Sequence, residues 1–224
     1  MKQTIILYLF CLSIIYSKEQ VFYNVKFKNM NAGSAILETT KDFNQDVIEL
    51  QFSMKTKKII DVFYKLRDQI NALIDIDNQS LKSIKKISEQ GKYKKTDEAK
   101  FDYQNNIMIF NNKALEIKKP VYDPLSIITY LRNQKLNIGQ KLSFDIYSSG
   151  EIKSINLEVI KEESIKIKNK EYRCFVVGYT IHNQSEITLW IDQGEKQLPI
   201  IIETKGKNGS IILKYKSHKV RNES

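Results

Sequence analysis

A chain of 224 residues and 26.2 kDa, 42% hydrophobic with only 3 Pro and 8 Gly, is long enough for one sizeable core and is not composed like a disordered or linker-rich protein. Its formal charge of +10 is carried by lysines scattered along the whole sequence beside many Ile and Asn, which argues against a nucleic-acid patch and leaves anionic envelope partners as the weaker reading of that bias. Neither His182 nor His218 stands at metal-ligand spacing from Cys174 or from a carboxylate cluster, so no metal or cofactor is expected.

In chain order, MKQTIILYLFCLSIIYS places Lys2 before an apolar run from Ile5 to Ile15 and a small residue at Ser17, the layout of a secretory signal peptide cleaved after residue 17. The run is shorter than the roughly 20 apolar residues a spanning helix needs. A lipoprotein reading would require cleavage before Cys11, behind the bulky Tyr8, Leu9 and Phe10. Loss of Cys11 with the leader would leave Cys174 without a disulfide partner, so stability must come from the core. Cys174 itself, inside an apolar run, reads as a small buried residue. Residues 18–224 are expected to form one domain outside the cytoplasm, in the periplasm or beyond.

The mature chain begins with alternation: Val21, Tyr23, Val25 and Phe27 share one face of a strand, with Asn24, Lys26 and Lys28 opposite. After a turn at 29–33, strands are predicted over 35–40 and 47–54, the second with Ile48, Leu50, Phe52 and Met54 on one face. Ile60, Val62, Tyr64 and Leu66 continue the pattern, then 70–77 with a turn at Asp77-Asn78. Leu81, Ile84 and Ile87 fit a helix by spacing but are read as a strand. The charged stretch 93–103 leads to a turn at 104–106 and a hairpin of 107–110 with 114–117 around Asn111-Asn112.

The stretch Val121 to Gly139 is the one convincing helical segment, with the helix over 124–134. Asp123 is a good N-cap, and Pro124 suits the first helical position, where no donor is needed. Leu125, Ile128 and Leu131 form an apolar stripe, joined by Ile127, and Gly139 lies just past the expected end. Strands resume with Leu142, Phe144 and Ile146, a turn at 148–150, and Ile155, Leu157 and Val159. The segment 171–181 is apolar on both faces (Cys174 and Val176; Phe175, Val177, Tyr179 and Ile181), as for a central strand beneath the helix. Strands at 187–192, 198–204 and 210–216, with Gly194 and Asn208-Gly209 at turns, complete a β meander. Strands spaced about every 8–12 residues suggest a barrel, roll or sandwich.

Candidate chemistry is sparse. Ser126 follows Asp-Pro-Leu rather than the G-x-S-x-G of a nucleophile elbow, and its bland role is polarity in the first helical turn. Arg132 reads first as a helix-end cation paired with a nearby carboxylate, and second as the holder of an anionic ligand. Trp190, ahead of Leu198-Pro199, is a core tryptophan at a strand end or an aromatic offered to a ligand. No acid, base and nucleophile group together, so an enzyme is the third choice.

Three stretches carry a family likeness: VFYNVKFKNMNAGSAIL, YDPLSIITYLRNQKLNIG and TLWIDQGEKQLPIIIETKGKNGSIILKY. With these in place the chain resembles the exported bacterial domain of unknown function 3108 family, whose Asp-Pro-Leu-Ser helix ends in Leu-Arg with a later Gly. The resemblance implies a β-rich envelope protein of Gram-negative type and carries over no catalytic residues. The expected fold is mainly β: a strongly curved antiparallel sheet, an open barrel-like roll with one short helix on its concave face. Such a shape suggests binding of a lipid or another hydrophobic envelope molecule, with Asp123, Pro124, Leu125, Ser126, Ile128, Leu131, Arg132 and Trp190 as candidate ligand or structural residues. The rival is a structural or assembly factor that meets an envelope protein or glycan through a sheet edge.

Overall fold

The structure is a computed structural model and describes residues 16–28, 30–42, 45–62, 65–181, 185–206 and 209–223. The expected leader, apart from Tyr16 and Ser17, lies outside them, as do Asn29, Tyr64, His182 and Asn208, and the side chains of Tyr179 and Ile181.

The described residues form one 15-stranded sheet. Its first half is a meander of β1 (Tyr16–Phe27), β2 (Met30–Asp42), β3 (Val47–Thr56), β4 (Leu66–Asp75), β5 (Leu81–Gln90), β6 (Tyr93–Asp102), β7 (Ile107–Phe110) and β8 (Lys113–Glu116). The second half begins with β9 (Val121–Tyr122), followed by β10 (Lys141–Ser148), β11 (Glu151–Ile167), β12 (Lys170–Ile181), β13 (Ser185–Asp192), β14 (Pro199–Gly206) and β15 (Gly209–Glu223). The two meanders join where β1 pairs antiparallel with β15, leaving β8 and β9 as the outer edges. The short β9 pairs parallel with β10.

That order forces curvature. A flat sheet of this size would be about 67 Å wide at the usual strand spacing. Residues 117–120 nevertheless carry the chain from one edge, β8, to the other, β9, and a span that short reaches at most about 18 Å. The sheet therefore rolls until its edges meet. They meet through side chains: the Tyr147 ring of β10 packs edge-on against Phe101 of β6 at 5.8 Å and Phe110 of β7 at 6.2 Å. Across the same seam the Val121 amide donates to the Tyr103 hydroxyl at 3.1 Å, and that hydroxyl donates to the Leu81 carbonyl at 2.8 Å.

Between β9 and β10 stands helix α2 (Pro124–Arg132). Ile127, Ile128 and Leu131 are buried in a cluster with Phe144 and Ile146 of β10, Leu157 of β11, Val177 of β12 and Leu189 of β13, while Leu125 enters the larger cluster built on β1 to β7. The helix also reaches β1 through Arg132. A short helix can touch both β10 and β1 only from inside the curve, so it lies on the concave face, as expected. Strand β12 is covered on both sides, with Cys174 in the larger cluster and Val177 beneath the helix.

Several local expectations are corrected. The strand predicted through Ile60, Val62 and Leu66 is a short helix, α1 (Lys58–Asp61), followed by an exposed Val62; Leu66 already belongs to β4. Asp61 turns toward Thr56 and Arg67, and those bonds hold the α1 turn out of the sheet. Helix α2 ends at Arg132 with Asn133 as C-cap, two residues earlier than predicted. Gly139, with φ +81°, belongs to a later turn, where its amide donates to the Val159 carbonyl at 2.8 Å. Beyond these corrections, the charged stretch after Tyr93 is a full strand, β6, with Asp97, Ala99 and Phe101 buried.

Candidate functional site

The residues singled out in the sequence are distributed along α2 and separated by it. At the N-terminus the Ser126 amide donates to Asp123 Oδ1 at 2.9 Å, and the Asp123 amide donates to Ser126 Oγ at 2.8 Å. This reciprocal pair is a capping box, with Pro124 at the position where a missing N–H costs nothing. Asp123 is 1% exposed, and its Oδ2 has no hydrogen-bond partner among the described residues. Burial raises its carboxyl above the ordinary value, against the lowering effect of the Ser126 hydrogen bonds and of the Lys86 charge. Asp123 and Pro124 line a cleft of about 110 Å³ at the seam, with Lys86, Asp97 and Tyr147.

Leu125, Ser126, Ile128 and Leu131 lie in the core and line none of the described clefts. Trp190 is half-buried against the larger cluster, and its indole N–H donates to Glu163 Oε2 at 3.3 Å.

At the C-terminus Arg132 makes a two-pronged pair with Glu19 of β1: Nη1 to Oε2 at 2.6 Å and Nη2 to Oε1 at 3.0 Å. Its Nε and Nη2 also donate to the Lys196 carbonyl at 3.2 and 3.0 Å. His218 of β15 meets Glu19 Oε1 through Nε2 at 2.9 Å. Burial alone would raise the Glu19 carboxyl, but hydrogen bonds and charge from Arg132 and His218 outweigh it and hold it below its usual range. One guanidinium thus fastens α2 to β1 and to the loop before β14.

This network floors a cleft of about 330 Å³ at the end of the roll, the mouth, where Lys41, Glu195 and Lys196 stand at the edge and Val220 gives the lip an apolar face. Glu19, Lys41 and Lys196 were not singled out in the sequence, and His218 was weighed there only as a metal ligand. Only Glu19 left a trace there: counted back from Val21 and Tyr23 it is a charge on the apolar face of β1, where an unpaired carboxylate would be costly. The others come from positions far apart in the chain, which no local pattern links.

Arranged this way, the mouth presents Lys41 and Lys196 to an anionic group, while the Arg132 guanidinium is engaged by Glu19 and the Lys196 carbonyl. Among the described residues no group of His, Cys, Asp and Glu is placed to hold a metal ion. Cys174 is buried, and burial together with Asp192 and Glu163 pushes its thiol up to about 12, so it is not a poised nucleophile.

In solved structures, the β-barrel-like protein of domain of unknown function DUF1849 from Brucella abortus is similar in fold, with a TM-score of 0.55 at 10% identity, over 93% of this chain and 98% of that one. A domain from Vibrio parahaemolyticus described as an outer membrane lipoprotein-sorting protein overlaps at a TM-score of only 0.22, with 9% identity, over 94% of this chain and 85% of that one. No curated protein matches the chain. The model of the family described as protein of unknown function (DUF3108) matches residues 23–216, nearly the whole described sheet, and the chain belongs to that family.

Proposed function

We propose that this chain is an exported, non-enzymatic binding protein of the cell envelope that takes an anionic, envelope-derived amphiphile at the mouth of its roll. In this reading residues 1–17 direct export and are removed, and 18–224 act as one domain. The observation that carries it is the mouth cleft: Lys41, Arg132 and Lys196 face Glu19 and Glu195, leaving one positive charge in excess. Arg132 is already locked by Glu19, so little side-chain freedom is lost on binding. The hydrophobic part of such a ligand rests against the lip at Val220, because the interior beneath α2 is filled by side chains. Cleavage after Ser17 would add an α-ammonium at Lys18, beside the same cleft.

The test is twofold. Native mass spectrometry of the purified protein should show a co-purifying anionic amphiphile. Titration with a short-chain phosphatidylglycerol should show saturable binding that the double change Lys41→Glu and Lys196→Glu weakens about tenfold or more. Equal binding of a short-chain phosphatidylcholine, or binding indifferent to those changes, would remove the mouth from the account.

A second reading, a structural or assembly factor, draws on β8. All four of its residues are exposed and, among the described residues, it pairs with β7 alone, leaving an edge on which an extended partner could add a strand.

A further inference from the structure

The end of the roll opposite the mouth has a different character. Strand β1 (Tyr16–Phe27) has Ser17 at the mouth cleft and Phe27 at the far rim. That rim gathers the turn after β1, the α1 loop and the turn between β5 and β6. The Lys57 amide donates to the Ala32 carbonyl at 2.9 Å, and the Gly91 amide donates to the Lys65 carbonyl at 2.8 Å, so the three segments are fastened side by side.

Val62, Ile59 and Met30, 80%, 72% and 61% exposed, are the most exposed large apolar side chains among the described residues, and all three stand on this rim. Tyr93, 57% exposed, joins them from the β5–β6 turn. Lysines surround them: Lys28, Lys55, Lys57, Lys58 and Lys92 are all exposed. Two carboxylates of this rim are already paired. Asp61 is bound by Arg67, and Glu89 is held between Lys65 at 2.8 Å and Lys94 at 2.9 Å.

Apolar tips cost free energy in water, and a ring of cations around them repels a second copy of the same rim. The surface that satisfies both is an anionic lipid headgroup layer, which takes short apolar tips at the acyl boundary, aromatic side chains at headgroup depth and lysines among the phosphates. We propose that this rim, formed by Met30, Ile59, Val62 and Tyr93 within a collar of lysines, docks the protein on an anionic membrane surface. The rim is separate from the mouth cleft, and the proposal stands whether or not the mouth binds a ligand. Docked through this rim, the protein directs its mouth away from the bilayer.

Co-sedimentation with vesicles tests it. The purified protein should bind vesicles of equal phosphatidylglycerol and phosphatidylcholine, bind pure phosphatidylcholine poorly, and release as salt rises. The pair Ile59→Glu and Val62→Glu, and separately the pair Lys57→Glu and Lys58→Glu, should each weaken binding about tenfold or more with little change in melting temperature. The pair Lys166→Glu and Lys168→Glu, at the β11–β12 turn, should bind as the parent does. Independently, a Tyr93→Trp variant should shift its emission to the blue on adding the anionic vesicles. Absence of binding to anionic vesicles, an equal loss in the Lys166 and Lys168 variant, loss only through Lys41→Glu and Lys196→Glu, or no emission shift would overturn the proposal.

Discussion

Two carboxylates at opposite ends of α2 face opposite demands. Asp123 is buried and caps the helix, so its folded-state pKa lies above the ordinary 3.8. A raised acid contributes stability that is full below 3.8 and lost as pH rises through the folded value. At neutral pH, Asp123→Asn should therefore be nearly neutral, because an amide oxygen still accepts from the Ser126 amide without carrying a buried charge. Asp123→Ala should cost about 1–2 kcal/mol, the loss of a cap. Chemical denaturation of both variants checks the contrast, and equal losses would refute the capping role. Glu19 has the opposite sign. Its pKa is lowered from 4.5, so its contribution is present above 4.5 and fades as pH falls through the folded value. Glu19→Gln should cost about 1–3 kcal/mol at neutral pH, chiefly by leaving Arg132 short of its partner, and should flatten the acid limb of a stability–pH curve below 4.5.

At the scale of elements, α2 is short for a helix that organises a fold, and packing rather than propensity holds it. Leu131→Ala should cost about 2–5 kcal/mol in denaturant unfolding, whereas a cost below about 0.5 kcal/mol would mean that this face is not buried. Ile128→Trp should cost about 1–3 kcal/mol by overpacking, with no loss of the binding proposed for the mouth. Much at this scale was legible in the sequence. The faces of β1 and β3, the strand at Leu81, the two-sided burial of β12 and the cap of α2 all follow from local spacing. So does the β7–β8 turn, where Asn111 and Asn112 adopt φ of +48° and +61°, the geometry a two-residue hairpin needs. The α1 loop was misread because Ile60, Val62 and Leu66 keep a strand's alternation. What breaks it is Asp61 binding Arg67 and Thr56, and spacing cannot show which polar side chains will meet. The end of α2 was misplaced because a glycine near a helix end resembles a C-cap, while Gly139 serves the later turn.

For the molecule as a whole, the roll's closure depends on side chains where no backbone ladder crosses from β8 to β9. A Cβ on Gly150 would lie 2.4 Å from the Phe110 ring, and Gly150 has φ +91°, so the seam requires glycine there. Gly150→Ala should cost about 1–3 kcal/mol, and Phe110→Ala should loosen the seam and raise binding of an apolar fluorescent probe. The seam and the Glu19 network were out of reach of sequence reasoning, since Phe101 and Tyr147, or Glu19 and Arg132, meet only once the sheet has rolled. The binding proposed for the mouth requires that α2 fill the concave face and leave no open interior. Amide hydrogen exchange measures that most directly. The amides of 127–132 should exchange among the slowest in the protein, together with those of β12 and β13, and α2 should open only with them. Fast exchange in α2 while β12 and β13 stay protected would show a helix that lifts from an accessible cavity, and would contradict the account.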